Sequence, residues 1–380
     1  MVNKLNIGFT GYYGMGNFGD DLFGVLSVEA ANKYWNIKKT SIVGTPITGF
    51  KSNYELNKFN NIYTKSNKVG KILRALVMTK SFIKNDVIVL AGGSTIGSGT
   101  SNTMRNFQKK LSKKNLSELG AIGVSVGPFN NYTDYLKAKE FILKLKYISV
   151  RDQESFNILK KMDVPIEYNL GRDIAGLLPI LFPIQKQYNS NDEKIVLGVS
   201  LCNYERYVGG DISKEEKRNE QVIEGIKSVC EELGDQLLLK VFIMNNNSEI
   251  GDQEISNDFI QSISHTNVQV EIISNEKGPL YIWQEVNNCT AFFSIRLHGG
   301  IAAYMANIPF CLVEYHEKCT NFLNDIGQPE NNRIREVNPN IKSVVMNLIK
   351  TKSKPTLTCE EYSNEATKIF TLAPWAKKED

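Results

Sequence analysis

Two rhythms of apolar residues alternate along the first half of the chain. Leu5, Ile7 and Phe9 alternate with Asn6, Gly8 and Thr10, the period of two that marks a strand, and a glycine-rich stretch follows. A helix is predicted from near Asp20 to about Tyr34, and a second strand over Thr40–Val43. Val87–Ala91 is an unbroken apolar run ending in Gly92-Gly93-Ser94. Ala121–Val126 is another, ending in Gly127-Pro128, and Tyr147–Val150 a third, ending in Arg151-Asp152 before a helix to about Met162. Continuous apolar strands separated by helices imply a parallel sheet covered on both faces.

The stretch 181–193 (LFPIQKQYNSNDE) is polar and breaks the rhythm, so it is expected to be a linker. The pattern then restarts. Strands are predicted at Ile195–Val199, Gln236–Met244, Val268–Ile273, Ala291–Ile295 and Phe310–Val313. Helices are predicted at Glu215–Leu233, Leu280–Asn288, a short one through Ala306, Asn340–Ile349 and Glu360–Leu372. The fold class expected is α/β: two Rossmann-like domains facing a cleft, with mostly parallel sheets. The expected boundaries are 1–185, 186–355, and a C-terminal helix over 356–380 that packs back on the first domain. Ligands of such sheets sit at the carboxyl ends of the strands.

Composition narrows the class further. At 380 residues, with 42% hydrophobic and 23% charged residues, the chain can bury a core without staples. A formal net charge of +4 is too thin for nucleic acid, which needs a clustered basic face. The six cysteines, Cys202, Cys230, Cys289, Cys311, Cys319 and Cys359, include no CxxC pair and all lie in the second half. They are expected to be reduced thiols rather than zinc ligands or a disulfide framework, and no metal site is expected. The first residues carry no signal-peptide pattern, and no apolar run approaches a membrane span, so a cytoplasmic location is expected.

Four motifs carry candidate chemistry. Gly14-Met15-Gly16-Asn17-Phe18-Gly19 is literally GxGxxG between a strand and a helix. A dinucleotide site would want an acid about 20 residues on, yet no Asp or Glu occurs between Glu29 and Glu55. The same glycines would also serve a tight turn with an Asp capping the helix, or a loop facing substrate. The second motif is Ser294-Ile295-Arg296-Leu297-His298-Gly299-Gly300, which holds one of only three histidines, beside an arginine, at a strand end. Two glycines there would let an anion approach bare backbone N–H groups, and an imidazole is suited to proton transfer near neutral pH. Ser149-Val150-Arg151-Asp152 is the third. Its guanidinium could grip a carboxylate or phosphate with two prongs, or form a surface pair with the neighbouring acid. Lys318, in Glu314-Tyr315-His316-Glu317-Lys318, would supply a point charge.

Together these motifs resemble the polysaccharide pyruvyl transferases. GYYGMGNFGDD (11–21), GVSVGP (123–128), SVRDQES (149–155), GRDIAGLLP (171–179) and SIRLHGGIAAYMANIPF (294–310) occur in that family's order, and the resemblance runs from about residue 6 to 330. One departure is Gly92-Gly93-Ser94-Thr95, where many relatives carry a third glycine. The resemblance implies a GT-B-like architecture and transfer of a pyruvyl group from phosphoenolpyruvate to two hydroxyls of a sugar, in cell-surface or exopolysaccharide synthesis. It implies that Arg151, His298 and Lys318 line the phosphoenolpyruvate site. His298, kept protonated by the donor's anionic groups, would be the general acid, and Arg151 and Lys318 would each hold one anion. Gly14, Asn17, Asp20, Gly92, Gly93, Ser94, Ser294, Arg296, Leu297 and Gly299 are expected to bind substrate, with Asn17, Asp20 and Asp21 on the acceptor sugar.

The expected partners are phosphoenolpyruvate, as co-substrate and with no cofactor, and a sugar or lipid-linked oligosaccharide. Two alternatives share the scaffold: a glycosyltransferase using a nucleotide sugar, and a non-catalytic sugar binder. Finally, Lys65–Lys84 interleaves Lys68, Lys71, Arg74, Lys80 and Lys84 with Ile72, Leu73, Leu76, Val77 and Phe82. That pattern fits either an ordinary packed helix or a basic amphipathic helix in peripheral contact with the inner face of a membrane.

Overall fold

Strands with no polar residue need cover on both faces, and the computed structural model places them accordingly. It describes residues 4–65, 67–98, 101–112, 116–184, 194–335 and 340–378, with side chains from 105 onward in the third of these stretches. The first sheet contains β1 (Leu5–Thr10), β2 (Ile37–Ile42), β3 (Val87–Ala91), β4 (Glu118–Val124), β5 (Tyr147–Val150) and β6 (Glu167–Leu170). Its order is β2-β1-β3-β4-β5-β6, parallel throughout. Every residue of β3 and β5 is buried. Helices such as Phe18–Tyr34 and Lys68–Lys84 supply the covering layers.

The second sheet contains β7 (Ile195–Ser200), β8 (Leu237–Ile243), β9 (Gln269–Ser274), β10 (Ala291–Ser294), β11 (Phe310–Val313) and β12 (Arg333–Ile334). Its order is β12-β11-β10-β7-β8-β9, again parallel. Two of the four edge strands, β6 and β12, were not expected. One is half-polar and the other two residues long, so neither shows an apolar run.

The chain divides into two compact units, each with its own apolar core. One comprises Met1–Met15, Asp20–Leu181 and Glu360–Asp380, the other Gly16–Gly19 and Phe182–Cys359. Most of the expected linker, residues 185–193, lies outside the described residues. In the first unit the helix Cys359–Thr371 returns to the sheet. The Trp35 indole N–H donates to the Phe370 carbonyl at 2.8 Å, and Trp375 sits edge-on to Trp35 and Tyr147. The six cysteines are free, and five are buried. Burial pushes the Cys202 thiol up to about 12, which makes it a poor nucleophile.

Candidate active site

In the first unit the sheet order reverses direction between β1 and β3, the position where open α/β sheets hold ligands. The glycine loop after β1 flanks that point. Gly14 has φ +72°, its amide donates to the buried Asp21 carboxylate at 2.6 Å, and its carbonyl accepts from the Thr45 hydroxyl at 3.1 Å. A helix was expected to begin near Asp20, with an Asp cap as one of two readings of the loop. It begins at Phe18 instead, because the Asn17 side chain accepts from the Gly19 amide at 3.1 Å and so frees Asp21 to tie the loop.

On the other flank, Gly92 and Gly93 take φ +76° and +79°, which a Cβ would strain. Asp20 approaches this loop: a Cβ built on Gly93 would lie 4.0 Å from its carboxylate. The Arg105 guanidinium holds the next carbonyls, of Thr95 and Gly97, at 2.6 and 2.5 Å, and burial pushes it down to about 10.

Arg151 projects from the end of β5 into the same edge and is buried. Its Nε donates to Ser125 at 2.8 Å, Nη1 to Asp173 at 2.8 Å and Nη2 to Ser94 at 3.2 Å. Asp173 in turn accepts from the Ala175 amide, and Ser125 donates to Asp152, which caps the helix Gln153–Met162. The adjacent acid, Asp152, was the expected partner in a surface pair. The guanidinium pairs instead with Asp173, because Asp152 is committed to the helix cap and to Ser125. Arg151 is therefore charge-balanced and fixed in one orientation, a pre-set donor rather than a mobile one.

In the second unit the order reverses between β7 and β10, and His298 stands just after β10, the second residue of the helix Leu297–Met305. The Gly16–Gly19 segment completes this edge. Phe18 N–H donates to the Met244 carbonyl at 2.8 Å, and the Gly16 carbonyl accepts from the Asn246 amide at 2.9 Å and from the Asn275 side chain at 3.2 Å. The His298 imidazole lies directly on the backbone of Gly19, whose missing Cβ would overlap the ring. The third glycine of the GxGxxG string thus makes room for a histidine, not for a pyrophosphate.

Several residues expected to touch substrate form the support of this loop. The Arg296 guanidinium pairs with the fully buried Asp252, with Nε to Oδ2 at 2.7 Å and a second bond from Nη2 to Oδ1. Burial works against the charge on Arg296, and the Asp252 carboxylate outweighs it, so the guanidinium stays charged above its ordinary range. Asp252 also accepts from the Asn245 amide at 3.0 Å, and Asn245 bridges to Asn17. Ser294 is buried and donates to the Arg296 carbonyl at 2.6 Å. Leu297 is buried too. The expectation that Gly299 and Gly300 expose bare N–H groups to an anion is corrected: both amides donate to the Arg296 carbonyl, at 3.1 and 3.3 Å, and a Cβ on Gly299 would overlap the Ser294 hydroxyl. These glycines serve close packing.

β11 lies beside β10, so the Glu314–Lys318 segment that leads into the next helix neighbours the start of the His298 helix. The Lys318 ammonium sits 5.0 Å from the centre of the Tyr204 ring and 5.8 Å from that of Tyr315, a cation–π cradle. His316 caps the helix Glu317–Ile326 by accepting from the Lys318 amide at its Nδ1, 3.2 Å away. His265 stands at the exposed Glu231, 3.2 Å away. Of the three histidines, only His298 occupies the reversal point of a sheet.

A family model described as "Polysaccharide pyruvyl transferase" matches residues 17–317, most of the chain. The chain belongs to the polysaccharide pyruvyl transferase family. No curated protein matches. Solved structures match in fold. The UDP-GlcNAc 2-epimerase of Methanocaldococcus jannaschii, in complex with UDP-GlcNAc and UDP, is 11% identical, with a TM-score of 0.61 over 98% of this chain and 100% of that one. The UDP-GlcNAc 2-epimerase of Neisseria meningitidis is 13% identical, with a TM-score of 0.55 over 96% and 94%. The sucrose-phosphate synthase of Thermosynechococcus elongatus is 9% identical, with a TM-score of 0.54 over 97% and 95%. At such identities the likeness establishes the GT-B-like fold alone.

For this member of the family, then, one edge gathers Gly14, Asp20, Gly92, Gly93, Ser94 and Arg151. The other gathers Asn17, His298 and Lys318 above a frame of Ser294, Arg296, Leu297 and Gly299. The residues that orient these groups, Ser125, Asp173 and Asp252, were not foreseen as site residues. Asp173 and Ser125 lie inside GRDIAGLLP and GVSVGP, so their strand-end position was the available signal. Asp252 lies in a polar stretch after β8 that carries no pattern of its own. Among the described residues, no group of three or more His, Cys, Asp or Glu is arranged to hold a metal ion. No helix among them is long and apolar enough to cross a membrane.

Proposed function

We propose that this family member transfers the pyruvyl group of phosphoenolpyruvate onto two hydroxyls of one sugar to form a ketal. The observation that carries the reading is the placement of the His298 imidazole at the reversal point of the second sheet, with the Lys318 ammonium in the first turn of the helix that follows the neighbouring strand. Phosphoenolpyruvate offers a carboxylate, a phosphate and a nucleophilic methylene carbon, which call for two cationic grips and one acid.

In this scheme Arg151, oriented by Asp173, Ser125 and Ser94, offers its further N–H groups to one anion. Lys318 takes the other. His298 delivers a proton to the methylene carbon, C2 becomes oxocarbenium-like, and the first sugar hydroxyl bonds to C2 and returns its proton to His298. The C2–O bond to phosphate then breaks, the second hydroxyl closes the ketal, and its proton leaves with the phosphate. Asn17 and Asp20 are assigned to the acceptor. The scheme calls for no metal or organic cofactor beyond phosphoenolpyruvate as co-substrate.

The test is phosphate release from phosphoenolpyruvate across a panel of sugar and lipid-linked acceptors, run beside UDP-sugars as donors. His298→Ala is expected to lower kcat by about 10²–10⁴-fold. A His298→Ala protein with full activity removes the acid role. Turnover of a UDP-sugar in place of phosphoenolpyruvate replaces the reading with the glycosyltransferase one, and saturable sugar binding with no turnover of either donor replaces it with the binder.

A further inference from the structure

The helix Lys68–Lys84 solves only half of its packing problem inside the first unit. Gly70, Val77, Met78, Ser81 and Phe82 are buried on one face, and Asn67 caps its start by accepting from the Gly70 amide. The opposite face carries four branched aliphatic side chains in water: Val69 is 59% exposed, Ile72 61%, Leu76 62% and Ile83 68%. At 3.6 residues per turn these four fall within one sector of about 60°. Lys68 and Lys71 flank that sector on one side, Lys80 and Lys84 on the other. The chain just before adds exposed Phe59 and Ile62, together with Lys58 and Lys65.

Charge says what this face fits. Between Glu55 and Asp86 there are seven Lys and Arg and no Asp or Glu, whereas the whole chain carries only +4. Lys80 and Lys84 stand 3.4 and 3.6 Å from Glu55, but that carboxylate is 8% exposed and lies beneath the helix side, leaving the outer surface positive. A second copy docking through the same face would set like charges against like charges. A soluble core packing is already complete on the other side. An aliphatic stripe rimmed by lysines matches the boundary of an anionic bilayer, where the aliphatic groups enter the acyl region and the lysine stems reach back to phosphate headgroups.

We propose that this face of Lys68–Lys84 seats the protein on an anionic lipid bilayer, as an interfacial helix rather than a span. The proposal does not depend on the pyruvyl chemistry. The experiment is co-sedimentation of the full chain with phosphatidylcholine vesicles, with and without phosphatidylglycerol, at low and high salt. Binding is expected only with the anionic lipid and should weaken with salt. Lys68→Gln/Lys71→Gln should weaken it by roughly 25-fold, about fivefold per lysine. Ile72→Ser/Leu76→Ser should weaken it at least as much. All four residues are exposed, so the variants keep the fold, checked by unchanged circular dichroism. Equal sedimentation with both vesicle types, or double variants that bind like the unaltered protein, overturns the proposal. Self-association that the serine pair abolishes would assign the face to a second copy and overturn it as well.

Discussion

Replacing Gly19 with alanine drives a methyl group into the face of the His298 imidazole. The new carbon would sit 2.6 Å from Cε1 and closer still to Nδ1. Ordinary contact begins about 0.8 Å further out, so ring or helix must yield by at least that much. Overpacking of this kind costs about 1–3 kcal/mol. Against it stands the gain of up to about 1 kcal/mol from removing a glycine from a helix. The single variant is therefore expected to lose up to about 3 kcal/mol. With the ring deleted in His298→Ala, the same substitution should be neutral or slightly stabilising. A cycle of four proteins, followed by denaturant unfolding, should return a coupling of about 1–3 kcal/mol. A ring displaced by most of an ångström should also lower turnover by around 10²-fold if it is the acid. Additive behaviour, with Gly19→Ala equally costly in both backgrounds, would refute the contact and remove the explanation for the third glycine of the motif.

Asp173→Asn should leave the buried Arg151 guanidinium without its counter-charge. A fall of roughly 3 kcal/mol in the stability of the first unit is expected by denaturant melt, and no change would mean the pair is not a stabilising one. The acid side of the stability profile should depend on Glu314. Burial by itself would raise this carboxyl, but the hydrogen bonds and charge of Arg333 outweigh it and hold it below its ordinary value of 4.5. Its contribution is thus complete above that value and is lost as pH falls through the lower folded one. Glu314→Gln should flatten the loss of stability as pH falls below 4.5, and an unchanged slope would count against the pairing.

The two parallel sheets were legible, but four helices, Ser101–Ser112, Tyr132–Ile142, Gln253–Ser262 and Glu317–Ile326, were not among the expected elements. β3, β5 and β11 run as expected, because a strand buried on both faces is uncharged and largely apolar and that pattern is local. β6 and β12 escaped because one is half-polar and the other only two residues long, so neither carries an apolar run to read. The motif strings were legible too, since strand ends carrying Gly, Arg and His in a fixed order are visible without coordinates. Their division of labour was not. Arg296 and His298 stand two residues apart in one motif, yet the first is spent on Asp252, a buried acid that no local pattern marks.

By itself the sequence determined most of the strands, the two parallel sheets and the family to which the motifs belong. Tertiary structure alone decided which charges are neutralised and which glycines are spacers. Gly19 is needed because a ring from the second half of the chain rests on it, and Arg151 is held still because Asp173 reaches it from the segment after the neighbouring β6. The physical reason is range. Periodic burial is set by neighbours three or four residues away, whereas the pairing of a buried charge depends on which chain segments the sheets bring together at their carboxyl ends.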